Sequence, residues 1–161
     1  MALRSTKWVK VEQGGHKLFY GEYNHSTDVK GRVILPSSFR EELGDKFMVA
    51  KWLDKCLCVF TQEEWDNIRE KIAAQPSTDA EIRKFSRMFF SGAGELEPDK
   101  QGRVVLPQNL REYAELSKDV VIVGVGPRAE IWDKAKWIEY NGRDDMQDMS
   151  SLAEKLAQLG I

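Results

Sequence analysis

Asp28-Val29-Lys30-Gly31-Arg32-Val33-Ile34-Leu35-Pro36 decides the fold, because the chain says it again as Asp99-Lys100-Gln101-Gly102-Arg103-Val104-Val105-Leu106-Pro107. The copies are 99 − 28 = 71 residues apart, and 8 of 14 positions are identical over 28–41 and 99–112. Ordinary composition would give roughly one match. Fainter echoes follow: Val49 matches Val120 at the same spacing, and Phe60 and Trp65 match Trp132 and Trp137 at 72, which implies one inserted residue. Two copies of one unit predict a pseudo-twofold object rather than a long array.

Each copy has a physical reading. Asp first and Gly fourth suit a type I turn, in which the carboxylate accepts backbone N–H groups. Val33 and Leu35 then alternate with Arg32 and Ile34, so a strand leaves the turn with the arginine on the face opposite Val33. Pro36 and Pro107 end the strand. Ser38…Glu41 and Asn109…Glu112 have capping-box spacing for short helices, with Phe39/Leu43 and Leu110/Ala114 facing inward. Gly44 closes the first helix. The turn accounts for Asp28, Gly31, Asp99 and Gly102. It leaves Arg32 and Arg103 unexplained, and function is to be sought there.

The doubled Asp-x-x-Gly-Arg-x-x-Leu-Pro, with Gly21-Glu22-Tyr23 before the first copy and Phe89-Phe90-Ser91-Gly92-Ala93 before the second, strongly resembles the MraZ family. That is a bacterial group of transcriptional regulators built from two AbrB-like units. The resemblance runs from about Leu18 to Ile161. It implies a mixed α+β fold, mainly β with helices: a duplicated AbrB-like, swapped-hairpin β-barrel with pseudo-twofold symmetry. It further implies a ring-shaped homo-oligomer, cytoplasmic and nucleoid-associated. Such a ring binds double-stranded DNA at short G-containing direct repeats upstream of the division and cell-wall gene cluster. Carried onto this chain, Arg32 and Arg103 become the DNA-contacting residues, supported by Lys30, Lys100 and Gln101. Arginine suits the task because its planar fork grips a phosphate, or guanine O6 and N7, bidentately. Asp28 and Asp99 would orient the guanidinium or hold the turn, completed by Gly31 and Gly102.

The rest of the chain divides into a disordered N-terminal extension (1–17), a first unit (22–64), linking helices (65–92), a second unit (93–136) and C-terminal helices (137–161). Residues 1–17 fall outside the resemblance. Phe47–Ala50 and Cys56–Phe60 read as one hairpin, and Val120–Val125 with Glu130–Trp132 as its counterpart. Thr61…Glu64 caps a helix carrying Trp65, Ile68 and Ile72 on one face. Thr78…Glu81 opens another, with Ile82, Phe85, Met88 and Phe89 in a stripe and Arg83, Lys84 and Arg87 around it. Asp133 caps a helix through Trp137 and Tyr140. Ser151…Glu154 caps a last one whose Leu152, Leu156 and Leu159 need a neighbour to pack on, since so short a helix is marginal alone.

Composition sets outer bounds. In 161 residues, 24 bases and 26 acids give a net charge of −2, which argues against a uniformly basic nucleic-acid binder but not against a local patch. No apolar run is long enough to cross a bilayer, so no membrane partner is expected. The first residues lack the apolar core of a signal peptide, which makes the cytoplasm the default compartment. Cys56 and Cys58 are poorly placed to bridge each other and too few for zinc, so they read as buried thiols. No cofactor, metal site or small-molecule substrate is called for.

Two further function classes compete. One Asp per duplicated half is the layout of aspartic proteases, whose carboxylates share a proton. Here the Asp-Thr/Ser-Gly signature is missing and Lys and Arg follow each Asp, which would hold it ionised, so the chain is read as no enzyme. Val123-Gly124-Val125-Gly126 lacks the spacing of a dinucleotide loop. The other class is an antitoxin-like assembly module, in which the repeated Arg and Asp form inter-subunit ion pairs without nucleic acid.

Overall fold

Strands β1 (Glu22–Ser26) and β2 (Arg32–Ile34) flank the first motif turn in the computed structural model, which describes residues 18–141 and 146–161. The expectation for residues 1–17 lies outside the described residues. Helix α1 (Ser37–Leu43), the hairpin β3 (Phe47–Lys51) and β4 (Leu57–Phe60), α2 (Gln62–Ala73) and α3 (Ala80–Ser91) complete the first half. The second half repeats the order with β5 (Gly94–Leu96), β6 (Arg103–Val105), α4 (Gln108–Tyr113), β7 (Asp119–Gly124), β8 (Ala129–Asp133), α5 (Lys134–Asn141) and α6 (Met146–Gln158).

The halves do not fold side by side. A six-stranded antiparallel sheet runs β1-β7-β8-β4-β3-β5, and a separate ribbon joins β2 to β6. Strand β1 of the first half pairs with β7 of the second, Tyr23 opposite Ile122. Strand β5 of the second pairs with β3 of the first, Phe47 opposite Leu96. Each half therefore lends its first strand to the other's hairpin. The sheet is open, with β1 and β5 at its edges, and no closed barrel is present among the described residues.

The registers show the pseudo-twofold. Val33 faces Val104 in the ribbon and Cys58 faces Glu130 across β4 and β8; each pair maps onto itself when the halves are exchanged. The strand pairings also correct one correspondence. Phe47 opposite Leu96 is matched by Val120 opposite His25, so β3 and β7 correspond at 120 − 47 = 73, and Ile122, not Val120, occupies the place of Val49. Two residues have entered the loop before β7, where sequence identity has faded.

Burial on both faces explains why the hairpin strands read as continuous apolar runs. In β4, Leu57 and Val59 face the main core, whereas Cys58 and Phe60 face α2 and α3; all four are fully buried. The main core lies between the sheet, the ribbon and helices α1 and α4, and contains Phe19, Phe39, Leu43, Leu106 and Leu110. The second cluster is aromatic: Trp52, Phe60, Phe85 and Phe89 meet edge to face or stacked. Truncating one such buried ring to alanine should cost ~3–5 kcal/mol.

Helix starts followed the sequence only in part. Thr61 Oγ1 accepts the Glu64 N–H at 3.0 Å and Gly44 closes α1 at φ +83°, as read. Asp133 Oδ2 likewise accepts the Lys136 N–H at 3.3 Å. The Ser38 and Asn109 boxes are not used, because Pro36 and Pro107 are the N-caps and their carbonyls receive the first helical N–H groups. Proline's fixed φ starts the helix two residues early and places Ser38 inside it. Asp79 rather than Thr78 caps α3, bonding the Glu81 and Ile82 N–H groups. Ser151 lies within α6 and caps nothing.

Candidate nucleic-acid interface

The motif turn is built almost wholly by its aspartate. Asp28 Oδ1 accepts the N–H groups of Lys30 and Arg32, both at 2.9 Å, while Oδ2 takes Arg32 Nε at 2.6 Å. The Gly31 N–H closes on the Asp28 carbonyl at 3.0 Å. The second turn repeats this: Asp99 Oδ1 accepts Gln101 and Arg103 N–H at 2.9 Å, and Oδ2 accepts Arg103 Nε at 2.8 Å. The backbone N–H of the following arginine, assisted by its side chain, holds each carboxyl below the usual range.

Asp28 and Asp99 thus do both jobs left open by the sequence, holding the turn and orienting the guanidinium. Each is bonded within its own turn and kept ionised, which does not suit a proton-sharing catalytic pair. Because Nε is the engaged atom, the Nη edge makes no hydrogen bond to any described residue. That edge can grip a planar acceptor pair end-on.

The ribbon brings the arginines together. In β2 and β6, Arg32 lies opposite Val105 and Ile34 opposite Arg103, while Val33 and Val104 point into the core with 1% exposure. Alternation therefore places Arg32, Ile34, Arg103 and Val105 on one outward face. The arginines occupy diagonal positions, about 7–8 Å apart, or about two base-pair rises of 3.4 Å. Lys30, Lys100 and Gln101 are exposed at the turns flanking this face, beside Val29, which is 98% exposed.

Sequence reading counted Arg40 only as a base near Arg32 and gave Arg111 no role. Arg40 Nε donates to the Leu35 carbonyl at 3.1 Å and Arg111 Nε to the Leu106 carbonyl at 2.9 Å. Each side chain then crosses to the other half. A Cβ on Gly31 would lie 2.7 Å from Arg111 Cζ, and one on Gly102 would lie 2.7 Å from Arg40 Cζ. Both glycines have φ near +80° as well. The motif glycine is therefore required twice, by backbone conformation and by the arginine laid over it. A signal existed in the sequence, since both arginines belong to the identical positions of the repeat.

Elsewhere, Gly124 is the last residue of β7, and the backbone of Phe19 and Tyr20 passes so close that a Cβ there would strike it. It serves chain packing rather than a phosphate loop. Cys56 and Cys58 are free and buried, and desolvation pushes both thiols up. No group of three or more metal-ligating side chains occurs among the described residues, nor any helix long and apolar enough to cross a membrane.

A duplicated strand-exchange unit presenting two aspartate-tethered arginines on one ribbon defines a class of protein. Comparison with known proteins gives the family. The model described as "MraZ protein, putative antitoxin-like" matches residues 18–88 and again 89–159. A transcriptional regulator MraZ of Acetivibrio thermocellus is 57% identical over 144 residues, covering 89% of this chain and all of the relative. Proteins of the same name from Clostridium acetobutylicum (52% over 144 residues, 89% of this chain and all of the relative) and Carboxydothermus hydrogenoformans (56% over 140 residues, 86% of this chain and 96% of the relative) agree. The chain belongs to the MraZ family.

Proposed function

We propose that this chain is a sequence-specific DNA-binding transcriptional regulator that offers the β2–β6 ribbon to the major groove. One observation carries the reading: Arg32 and Arg103 share the outward face of the ribbon, each fixed through Nε by its own aspartate. A two-stranded ribbon fits the major groove, and a pre-oriented guanidinium edge matches guanine O6 and N7. Lys30, Lys100 and Gln101 supply backbone contacts. The exchanged first strands of the open sheet, in this reading, give an AbrB-type interleaved frame that keeps the ribbon rigid.

One ribbon per subunit is too small a footprint for tight specific binding at physiological salt. The functional species is therefore a closed ring of identical subunits engaging successive direct repeats upstream of the division and cell-wall gene cluster, where linkage raises effective concentration. The regulator acts in the cytoplasm, on the nucleoid.

The test is fluorescence anisotropy on DNA from immediately upstream of the chain's own gene, with scrambled DNA beside it. Arg32→Ala and Arg103→Ala should each weaken specific binding by ~1–3 kcal/mol if they read bases, relaxing the base preference. A folded double variant with unchanged affinity would remove the motif from DNA binding and favour the assembly-module reading.

A further inference from the structure

Two surface clefts flank the ribbon, related by the pseudo-twofold through Val33 and Val104, and they are unlike in charge. The first, of about 610 Å³, is lined by Thr27, Asp28, Arg111 and Lys118. The second, of about 570 Å³, is lined by Asp99 and Arg40 together with Glu41, Asp45, Lys46 and Glu97. Asp28 and Asp99 are each neutralised by their own arginine. The first cleft then holds two cations, Arg111 and Lys118, and no other charge. The second sets Arg40 and Lys46 against three carboxylates.

In sequence the two copies carry equal numbers of nearby bases, Lys30 and Arg40 about Arg32 and Lys100 and Arg111 about Arg103. The fold redistributes them. Arg40 crosses to the second turn, and Arg111 and Lys118 come to the first. Resting on the DNA-binding reading above, we propose that the Arg111–Lys118 cleft seats a DNA backbone phosphate and that its carboxylate-rich counterpart does not. Thr27 Oγ1 already donates to the Ser117 carbonyl at 2.9 Å, so the charged groups, not this hydroxyl, would hold the anion. A twofold ribbon on a duplex meets both strands alike. Unequal clefts make each subunit grip one strand and so bind its site in one orientation, as direct rather than inverted repeats require.

The test measures operator affinity against salt for the full chain and two variants, Lys118→Gln and Lys46→Gln, which change one exposed lysine in each cleft. Lys118→Gln should weaken operator and scrambled DNA alike, with base preference intact, and flatten the log–log salt slope by about 0.9 per engaged subunit. Lys46→Gln should leave the slope unchanged, and Glu97→Gln should raise affinity. Equal effects of the two lysine variants, or no effect of Lys118→Gln, would overturn the cleft assignment while the Arg32 and Arg103 variants still tested the ribbon. Absence of DNA binding by the wild-type chain would overturn both.

Discussion

Replacing Gly31 by alanine should be among the most damaging single-methyl changes in the protein, and the structure sets its size. Gly31 has φ +79°, where an L-residue pays ~1–2 kcal/mol. The new Cβ would also sit 2.5 Å from Arg111 Nε, so the guanidinium must leave the Leu106 carbonyl it now bonds at 2.9 Å. Losing that half-buried bond adds ~0.5–1.5 kcal/mol. Together the two effects predict a loss of ~1.5–3.5 kcal/mol, or ~3–14 °C in melting temperature for a chain of this size. Calorimetry and urea titration measure it. Arg111→Ala separates the two contributions, because in that background Gly31→Ala should cost only the backbone strain. The double-mutant cycle should therefore show the pair costing less than the sum of the singles. The same cycle on Gly102 and Arg40 is its replicate across the pseudo-twofold. A Gly31→Ala loss under ~0.5 kcal/mol, well below the strain expected for a left-handed alanine, or an additive cycle, would refute the double requirement for glycine.

Acid should loosen the motif turns in a defined window. The Asp28 and Asp99 carboxyls are depressed in the folded chain, so their contribution is fully present above the unfolded aspartate value of about 3.9 and fades as pH falls through the lower folded values. Melting temperature against pH should show that loss in the wild type and much less of it in Asp28→Asn/Asp99→Asn. Cys56 and Cys58, buried with their thiols pushed up, should react with a thiol reagent only at the rate of unfolding, and reductant or chelator should leave DNA binding unchanged; fast labelling of the native protein would contradict their placement. Self-association should appear in light scattering as a species well above the 18.5 kDa chain, and Leu152→Glu on the exposed apolar side of α6 should reduce it; a wild-type monomer at micromolar concentration would sink the ring.

What the sequence revealed, it revealed where a residue type has one physical use. Aspartate and glycine three apart located both turns, and continuous apolar runs located both hairpins. Which hairpin a first strand joins was not legible in the residue pattern, and interleaving was expected only because the family resemblance implied it. His25 and Leu96 occupy the same place in the two copies, so β1 and β5 could meet either hairpin in the same register, and the folded chain shows the exchange. Local cap spacing misled at Ser38 and Asn109 because a neighbouring proline with fixed φ competes for the same helix start. The loop before β7 hid its two extra residues for a different reason: loops tolerate insertion, and an insertion there leaves no mark on strand pattern.

Arg40 and Arg111 show the deeper limit. Their repetition could be seen in the sequence, but their partners could not, because each covers a glycine in the other copy. That crossing ties the two turns together: the arginine that follows one strand fixes the turn that precedes the other. Moving one turn therefore disturbs the other, and the two outward arginines of the ribbon are held as a pair rather than as separate loops. Joining the copies in one chain adds something a dimer of identical halves cannot have. Val29-Lys30 and Lys100-Gln101 can differ at the two turn tips, and Lys118 can face an uncompensated cleft while Lys46 faces three carboxylates. Symmetry thus builds the frame, and departures from it at exposed positions give the frame a direction.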